Sequence, residues 1–262
     1  MIHATQALQL TLGSAVAIET HSETYYVQRQ SQQWRLLRVP HEFPFCALEQ
    51  QVVVDHDVAV PVHATLVHSW MSGEQESTLR ILPCMTDRNL MLALNQPLLI
   101  PPGRRPKLYL HLPLMYQLYI GNSKVPFFEF LIEPLALSWF GSNTRRGELC
   151  YKFTSDLLLD YEHAAFVPHR AMLELRLCNR NSEPLSIDKL NIPAQYLPVY
   201  RVDGAAYWTT ALTITNEKLT DELSLHYSKT IPCRHESLQL VSESRLRTEA
   251  RTILRALEAI IG

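Results

Sequence analysis

The sequence predicts a mainly β protein with two similar antiparallel β-sandwich units and a single C-terminal α-helix. Three observations support this fold class. Apolar and polar residues alternate in short segments such as 108–112, 172–177 and 211–215, which is the period of a half-buried strand. The segment 52–66 is echoed later in the chain. Helical periodicity occurs only at the C-terminus.

The echo pairs residues 52–66 with residues 157–173. Each segment has an apolar run, an acidic corner, a Val-Pro pair, an alanine and a leucine, in that order. Internal similarity at this spacing predicts two sandwich-sized units of related design, with the matching residues in their cores. The second copy carries two extra residues around His163. We expect functional residues at the positions where the two copies differ.

The pattern divides the chain into residues 1–105, residues 106–240 and a terminal segment, 241–262. Residues 101–107 read Pro-Pro-Gly-Arg-Arg-Pro-Lys, a composition that predicts a stiff linker between the units. A hairpin loop within one domain is the alternative.

The terminal segment from Ser242 to Ile261 has the spacing of an amphipathic helix. Its apolar stripe consists of Leu246, Ala250, Ile253, Leu257 and Ile260. Ser242 can cap the start. Arg247, Arg251 and Arg255 line one polar side at i,i+4 spacing, which predicts a partner with an acidic face. We expect this helix either to dock on its own sandwich or to mediate self-association or binding of a partner protein.

Composition narrows the classes of function. A formal net charge of -2 and a pI near 6.6 give no reason to expect nucleic acid, which requires concentrated positive charge. The five scattered cysteines predict free thiols in a reducing compartment, hence a cytoplasmic protein. The longest apolar stretches are too short to span a bilayer.

Four carboxylates at the acidic corners are the candidate metal ligands: Asp55, Asp57, Asp160 and Glu162. Carboxylates two residues apart on an extended segment point to one side and can share a hard cation such as calcium. Polar turns at the ends of buried strands are the alternative. A cleft between the two units is where the sequence predicts a small-ligand or metal site.

No motif of nucleophilic catalysis or of a cofactor site is present. The sequence contains no G-x-S-x-G elbow, P-loop or G-x-G-x-x-G, so we predict no cofactor and lean against an enzyme. A hydrolase with an active site assembled from distant loops remains an alternative.

Residues 137–151 form the most distinctive local pattern after the repeat. Two glycines bracket a polar loop that carries Arg145 and Arg146 between aromatic segments. Glycine supplies the positive φ that a hairpin needs, so the pattern can be purely structural. The arginine pair at the tip is also a candidate contact for a partner.

Residues 139–151 and 179–185 resemble a prokaryotic family of domains of unknown function, whose members tend to be encoded beside small mechanosensitive channels. The polar turn 179–184 is also typical of immunoglobulin-like sandwiches. The resemblance transfers no catalytic residues. It implies a soluble accessory or regulatory role near a membrane protein. We therefore expect a non-enzymatic binding or scaffolding module that acts through protein–protein contacts.

Overall fold

The computed structural model of the chain describes residues 7–42, 54–73, 76–141, 147–162, 164, 167–204, 206–216, 223–234, 236–247 and 252–254. Within these residues the chain forms strands and turns, with the 3₁₀ turn Ala194–Tyr196 as the one helical element. The prediction of a mainly β protein is confirmed. No helix in the described part is long and apolar enough to cross a membrane.

The chain divides into two compact units that interleave in sequence. Unit 1 comprises Met1–Cys84 and Leu114–Pro134, and unit 2 comprises Met85–Pro113 and Leu135–Gly262. The chain therefore passes between the units three times, whereas the sequence-based division separated them once, near residue 105. Residues 101–107 lie within unit 2.

Unit 1 contains two antiparallel sheets. Its strands are β1 (Ala7–Gln9), β2 (Ala15–Glu19), β3 (Glu23–Arg29), β4 (Gln33–Pro40), β5 (Val54–Asp55), β6 (Thr65–Met71), β7 (Thr78–Cys84), β10 (Met115–Ile120) and β11 (Phe128–Leu131). One sheet has the order β1-β7-β10-β11 and the other β5-β2-β3-β4-β6.

A single hydrophobic cluster joins these two sheets. Its members include Val16, Ile18, Val27, Trp34 and Leu36 from one sheet and Leu79, Ile81, Tyr116, Leu118 and Phe130 from the other. Both sheets bury their inner alternating residues in one core, so unit 1 is a β-sandwich. Each fully buried large side chain contributes about 1.5–3 kcal/mol of hydrophobic stabilisation.

Unit 2 also contains two sheets, but both include parallel pairs, so the prediction of an antiparallel unit is wrong here. Its strands are β8 (Leu90–Ile100), β9 (Lys107–Pro113), β12 (Ala136–Gly141), β13 (Gly147–Phe153), β14 (Arg170–Asn179), β15 (Leu185–Ile192), β16 (Val199–Val202), β17 (Ala206–Trp208), β18 (Leu212–Asn216), β19 (Leu223–Tyr227), β20 (Leu238–Ser242) and β21 (Thr252–Leu254). The smaller sheet has the order β12-β13-β8-β15. The larger one has the order β20-β16-β17-β14-β18-β19-β21, with β9 also paired to β14.

Strand β14 is the central element of the larger sheet. It pairs with β9 along one edge and with β17 and β18 along the other. Leu173, Leu175 and Leu177 are almost completely buried, and they alternate with residues of the opposite face. On that face Lys107 lies opposite Arg176, Tyr109 opposite Glu174 and His111 opposite Met172, so these six side chains share one side of the β9–β14 pair.

The two copies of the predicted repeat do not pack alike. In the first copy Leu66 lies on β6, an edge strand, and is 49% exposed, whereas the matching Leu173 on β14 is fully buried. The matching residues therefore do not occupy equivalent core positions. A duplicated sandwich unit and an immunoglobulin-like arrangement remain predictions.

The predicted C-terminal helix is wrong for the described part of segment 241–262. Ser242 ends β20, residues 243–247 form no helix, and Thr252–Leu254 is a strand that pairs with β19. Helix periodicity is a weak signal when the edge of a sheet offers hydrogen bonds and the segment contains the β-branched pair Thr252-Ile253. Arg245 donates from Nε to the Met85 carbonyl, and the Leu246 N–H bonds the Gln195 carbonyl.

The four described cysteines, Cys84, Cys150, Cys178 and Cys233, form no disulfide bond. Burial raises the pKa of Cys150 to about 12, with a further contribution from the charge of Glu148. This thiol is therefore protonated and unreactive at neutral pH. Thiols without disulfide bonds are as the sequence predicted, and Cys46 lies outside the described residues.

Candidate ligand-binding cleft

A cleft of about 190 Å³ opens on one side of the larger sheet of unit 2. Strands β9, β14 and β17 form its floor, and the segment that leads into β14 forms its wall. The lining residues are His111, Tyr161, Ala164, Val167, Arg170, Met172, Ala206, Tyr207 and Trp208. Aromatic, small apolar and basic groups thus converge in one pocket.

Aromatic rings packed edge to face form one wall of the cleft. The Tyr161 ring makes edge contacts with Trp208, at a centroid distance of 5.3 Å, and with Tyr109, at 5.2 Å. Edge-to-face pairs of this kind stabilise by about 0.5–1.5 kcal/mol each beyond their buried area. Tyr161 is therefore held in place between two rings that belong to the sheet.

Two basic side chains, His111 and Arg170, line the cleft together. Arg170 donates from Nη1 to the Thr154 carbonyl at 2.7 Å, and the backbone N–H of His111 donates to the Ser155 hydroxyl at 3.0 Å. These bonds fix segment 154–156 against the ends of β14 and β9.

His111 is mainly uncharged at neutral pH. Burial lowers its pKa below the usual value, and the nearby positive charge of Arg170 lowers it further, while Asp156 acts in the opposite direction. The cleft therefore combines one permanent cation with an imidazole that gains a charge only when an anion or acid favours it.

Unusual backbone conformations flank the lining segments. His169, which is buried and directly precedes Arg170, has φ = 60°, and Asp203 and Gly204, which precede β17, have φ = 49° and 74°. Asp203 is supported by the N–H groups of Glu236 and Ser237, which donate to its Oδ1. A positive φ is uncommon for a non-glycine residue and is concentrated in turns and functional sites.

A buried carboxylate supports the aromatic wall from below. Glu174 is 1% exposed and accepts a hydrogen bond from the Tyr109 hydroxyl at 2.8 Å. Arg176 bonds the same carboxylate, and the Lys107 ammonium is 3.9 Å away. Burial and the hydrogen bond to Glu174 raise the pKa of Tyr109. Tyr109 therefore stays a neutral donor and keeps its ring under Tyr161.

Comparison with protein families adds one match. The model of a family described as a protein of unknown function, DUF432, matches residues 9–260. The chain belongs to this family. This confirms the predicted resemblance to a domain of unknown function, while the expected gene neighbourhood remains a prediction. No curated protein and no solved structure matches the chain.

The four candidate metal ligands are divided between the two units. Asp55 and Asp57 lie in unit 1, and Asp160 and Glu162 lie in unit 2. All four are exposed, and Asp160 Oδ1 accepts the Glu162 N–H at 2.9 Å, as in a polar turn. Among the described His, Cys, Asp and Glu residues of either unit, no group of three or more could hold a metal ion. A cation at these corners remains a prediction.

The candidate partner-binding arginines are only partly described. Arg145, Arg146, Arg251 and Arg255 lie outside the described residues, and Arg247 is exposed. The predicted helix would have aligned Arg247, Arg251 and Arg255, but it is not formed where the structure describes the segment. The predicted i,i+4 row of arginines therefore has no helix to support it. Partner binding by Arg145 and Arg146 remains a prediction.

Ser155 and His111 do not form a nucleophile–base pair. The Ser155 hydroxyl accepts the backbone N–H of His111 rather than a bond from its imidazole, and it donates to the Asp156 carbonyl. The hydrolase alternative gains no support from this contact.

Sequence reasoning missed His111, Arg170 and Trp208 because each lies in or beside an ordinary strand pattern. One signal did point to the cleft: Tyr161, Ala164 and Val167 belong to the segment around His163, where the second copy of the repeat carries its extra residues. His163 itself lies outside the described residues.

Proposed function

We propose that unit 2 is a binding module for a small ring compound that carries one negative charge. The observation that carries this proposal is the convergence of Tyr161 and Trp208 with His111 and Arg170 in one cleft. Small-molecule sites are typically apolar and aromatic pockets with a few polar groups that fix orientation. Here the aromatic wall suits a ring, and Arg170 suits a carboxylate.

The size of the cleft limits the ligand to about one ring. A cavity of roughly 150 Å³ holds benzene in another protein, so about 190 Å³ accommodates a ring with one small substituent. Strong apolar contact is available from Met172, which is 5% exposed, and from Trp208, which is 7% exposed.

The charge of the cleft favours a monoanion over a dianion. Arg170 supplies one positive charge, and His111 is mainly neutral because its pKa is lowered by burial and by Arg170. Asp156 is close enough to influence His111 electrostatically, and it would oppose a second negative charge. A carboxylate therefore fits better than a doubly charged phosphate.

Isothermal titration calorimetry with three probes tests the proposal. We expect benzoate to bind with a dissociation constant of about 1 mM or below, as is reasonable for a ligand of this size. Benzamide has the same shape without the charge and should bind at least about tenfold more weakly. Acetate has the charge without the ring and should not bind measurably. Equal binding of benzoate and benzamide would contradict the role of Arg170.

A cleft-filling variant locates the binding site. Ala206→Leu adds bulk to the lining while leaving both basic groups in place, so it should abolish benzoate binding. Ala136→Leu adds the same atoms at an exposed position on β12, and it should leave binding unchanged. Benzoate binding that survives Ala206→Leu would place the ligand elsewhere.

This proposal keeps the small-ligand alternative predicted from the sequence but assigns it to unit 2 alone. A ligand site between the two units, a protein partner and a cytoplasmic location remain predictions.

A further inference from the structure

A basic edge lies at the far end of the β9–β14 pair from the cleft. We define it by Arg104, Arg105, Lys107 and Arg176, all of which are exposed. Lys107 and Arg176 are register partners. The Leu177 N–H donates to the Pro106 carbonyl and the Asn179 N–H to the Arg104 carbonyl, each at 3.1 Å. The pairing with β14 therefore continues beyond β9 to residue 104.

This continued pairing places the side chains. Arg105 and Lys107 are two residues apart on an extended segment, so both point to the face that also carries Arg176. Their spacing along the strand is about 6.8 Å, twice the rise per residue. The basic edge thus presents a row of cations at the period of an extended chain.

Few carboxylates balance this row. The segments 99–107 and 174–185 contain two acidic residues, Glu174 and Glu183. Glu174 is buried and is shared by Arg176 and Lys107. Arg104 and Arg105 have no side-chain partner in the described part of the chain. Within these two segments positive charge therefore exceeds negative charge, in a protein whose formal net charge is -2.

In the part of the chain that the structure describes, the outer backbone edge at Arg105 has no backbone partner. Tyr109 exchanges both of its backbone bonds with Leu158, each at 2.8 Å, so the odd-numbered residues of β9 turn their N–H and C=O groups outward. Among the described residues, no backbone group bonds the outward N–H and C=O of Arg105. The missing N–H of Pro106 falls on the inner side and does not interrupt the outer edge.

We infer that the basic edge binds an extended acidic segment of a partner protein, which lies alongside residues 104–107 with carboxylates at alternate positions. A strand added to a sheet edge gains main-chain hydrogen bonds, and side chains at alternate positions give specificity. Carboxylates on every second residue of such a strand repeat at the same spacing as Arg105 and Lys107. This inference is independent of the ligand in the cleft.

Fluorescence anisotropy with two labelled octapeptides of identical composition tests the inference on the full chain. In one peptide glutamate alternates with threonine, and in the other the four glutamates precede the four threonines. We expect the alternating peptide to bind roughly tenfold more tightly, because only its carboxylates match the spacing of the cations while its backbone pairs with the edge. Equal binding of the two peptides would reduce the effect to non-specific charge and overturn the inference.

Paired charge variants locate the site. Arg105→Gln with Lys107→Gln should weaken the alternating peptide by roughly tenfold, because exposed ion pairs contribute modestly and two are lost. Lys229→Gln with Arg234→Gln removes the same charge from exposed positions elsewhere in unit 2 and should change binding by less than about twofold. An equal loss in both pairs of variants would contradict the inference.

Two further probes separate other anionic partners. Phosphatidylserine vesicles and single-stranded DNA present anions without a β-strand edge. Tighter binding of either probe than of the alternating peptide, lost in the Arg105→Gln/Lys107→Gln variant, would identify a membrane surface or a nucleic acid as the partner and overturn the inference.

Discussion

The two ends of one face of the β9–β14 pair are built from similar residues but offer different chemistry. At one end His111 and Arg170 lie in a cleft under Tyr161 and Trp208. At the other end Lys107 and Arg176 are about half exposed, with 54% and 45% of their side-chain surface accessible. The difference lies in exposure: the segment that carries Tyr161 covers the first end, while in the part of the chain that the structure describes the cations of the second end are exposed.

Between the two ends lies the buried pair Tyr109 and Glu174, which both ends share. The Tyr109 ring supports Tyr161 at the cleft, and the Glu174 carboxylate holds Arg176 and Lys107 at the basic edge. A basic residue inside a cleft is partly removed from water, so its electrostatic attraction to an anionic ligand is stronger and more selective. Exposure leaves a basic residue as a screened surface charge.

The largest effect should follow from removing the shared carboxylate. Glu174→Ala leaves the buried Tyr109 hydroxyl without its acceptor and should lower the free energy of unfolding by about 2–3 kcal/mol. Glu183→Ala removes an exposed carboxylate and should cost less than about 0.5 kcal/mol. Urea denaturation measures both values. Similar costs for the two variants would show that the Glu174 network does not connect the ends.

A smaller effect is expected for Tyr109→Phe. The variant keeps the ring under Tyr161 but removes the hydrogen bond to Glu174, so it should cost about 1.5 kcal/mol. Benzoate affinity should change by less than about twofold, since the ring contact is kept. Tyr200→Phe serves as the control and should be close to neutral. A large loss of benzoate affinity in Tyr109→Phe would mean that its hydroxyl, not its ring, shapes the cleft.

Salt should weaken ligand binding at the two ends to different degrees. The difference in binding free energy should be smaller than the stability changes above. Raising sodium chloride from about 50 mM to about 300 mM screens exposed charges more than enclosed ones. The alternating peptide should lose roughly fivefold in affinity, whereas benzoate should lose less than about twofold. The same loss for both ligands would contradict the contrast between an exposed and an enclosed end.

The smallest effect concerns stability and pH. The folded pKa of His111 is lowered mainly by burial, so between that value and the unfolded pKa of about 6.5 the unfolded chain binds more protons. Stability from neutral His111 is thus present above about pH 6.5 and is lost as the pH falls through the folded pKa.

His111→Gln should therefore lose less stability on acidification than the unmodified chain, as thermal unfolding across this range would show. His226→Gln changes an exposed histidine and should retain the original pH dependence. Unchanged acid sensitivity in His111→Gln would remove the basis for an uncharged imidazole in the cleft.

The sequence predicted the strand content well because alternation depends on local residues. Met172, Glu174 and Arg176 alternate with buried leucines, and this segment lies within β14 as expected. The C-terminal helix was wrong because hydrogen bonding of Thr252–Leu254 to β19 is a non-local effect that periodicity does not contain. The interleaving of the two units likewise depends on contacts between residues that are far apart in the sequence.

The cleft could be predicted only in part. The extra residues around His163 marked the segment that supplies Tyr161, Ala164 and Val167. His111 and Arg170 are far apart in sequence and come together only through the antiparallel pairing of β9 with β14. The basic residues of segment 101–107 were visible in the sequence, but their alignment with Arg176 depends on the register of the same pair.

The most direct test of the cleft is the NMR titration of His111 in isotope-labelled protein, with its imidazole resonance assigned from the His111→Gln variant. Without ligand the measured pKa should lie below the usual histidine value. Saturating benzoate should shift the resonance and raise that pKa, because a carboxylate beside the imidazole favours its charged form. Benzoate that binds by calorimetry but leaves the resonance and the pKa of His111 unchanged would contradict the proposed site.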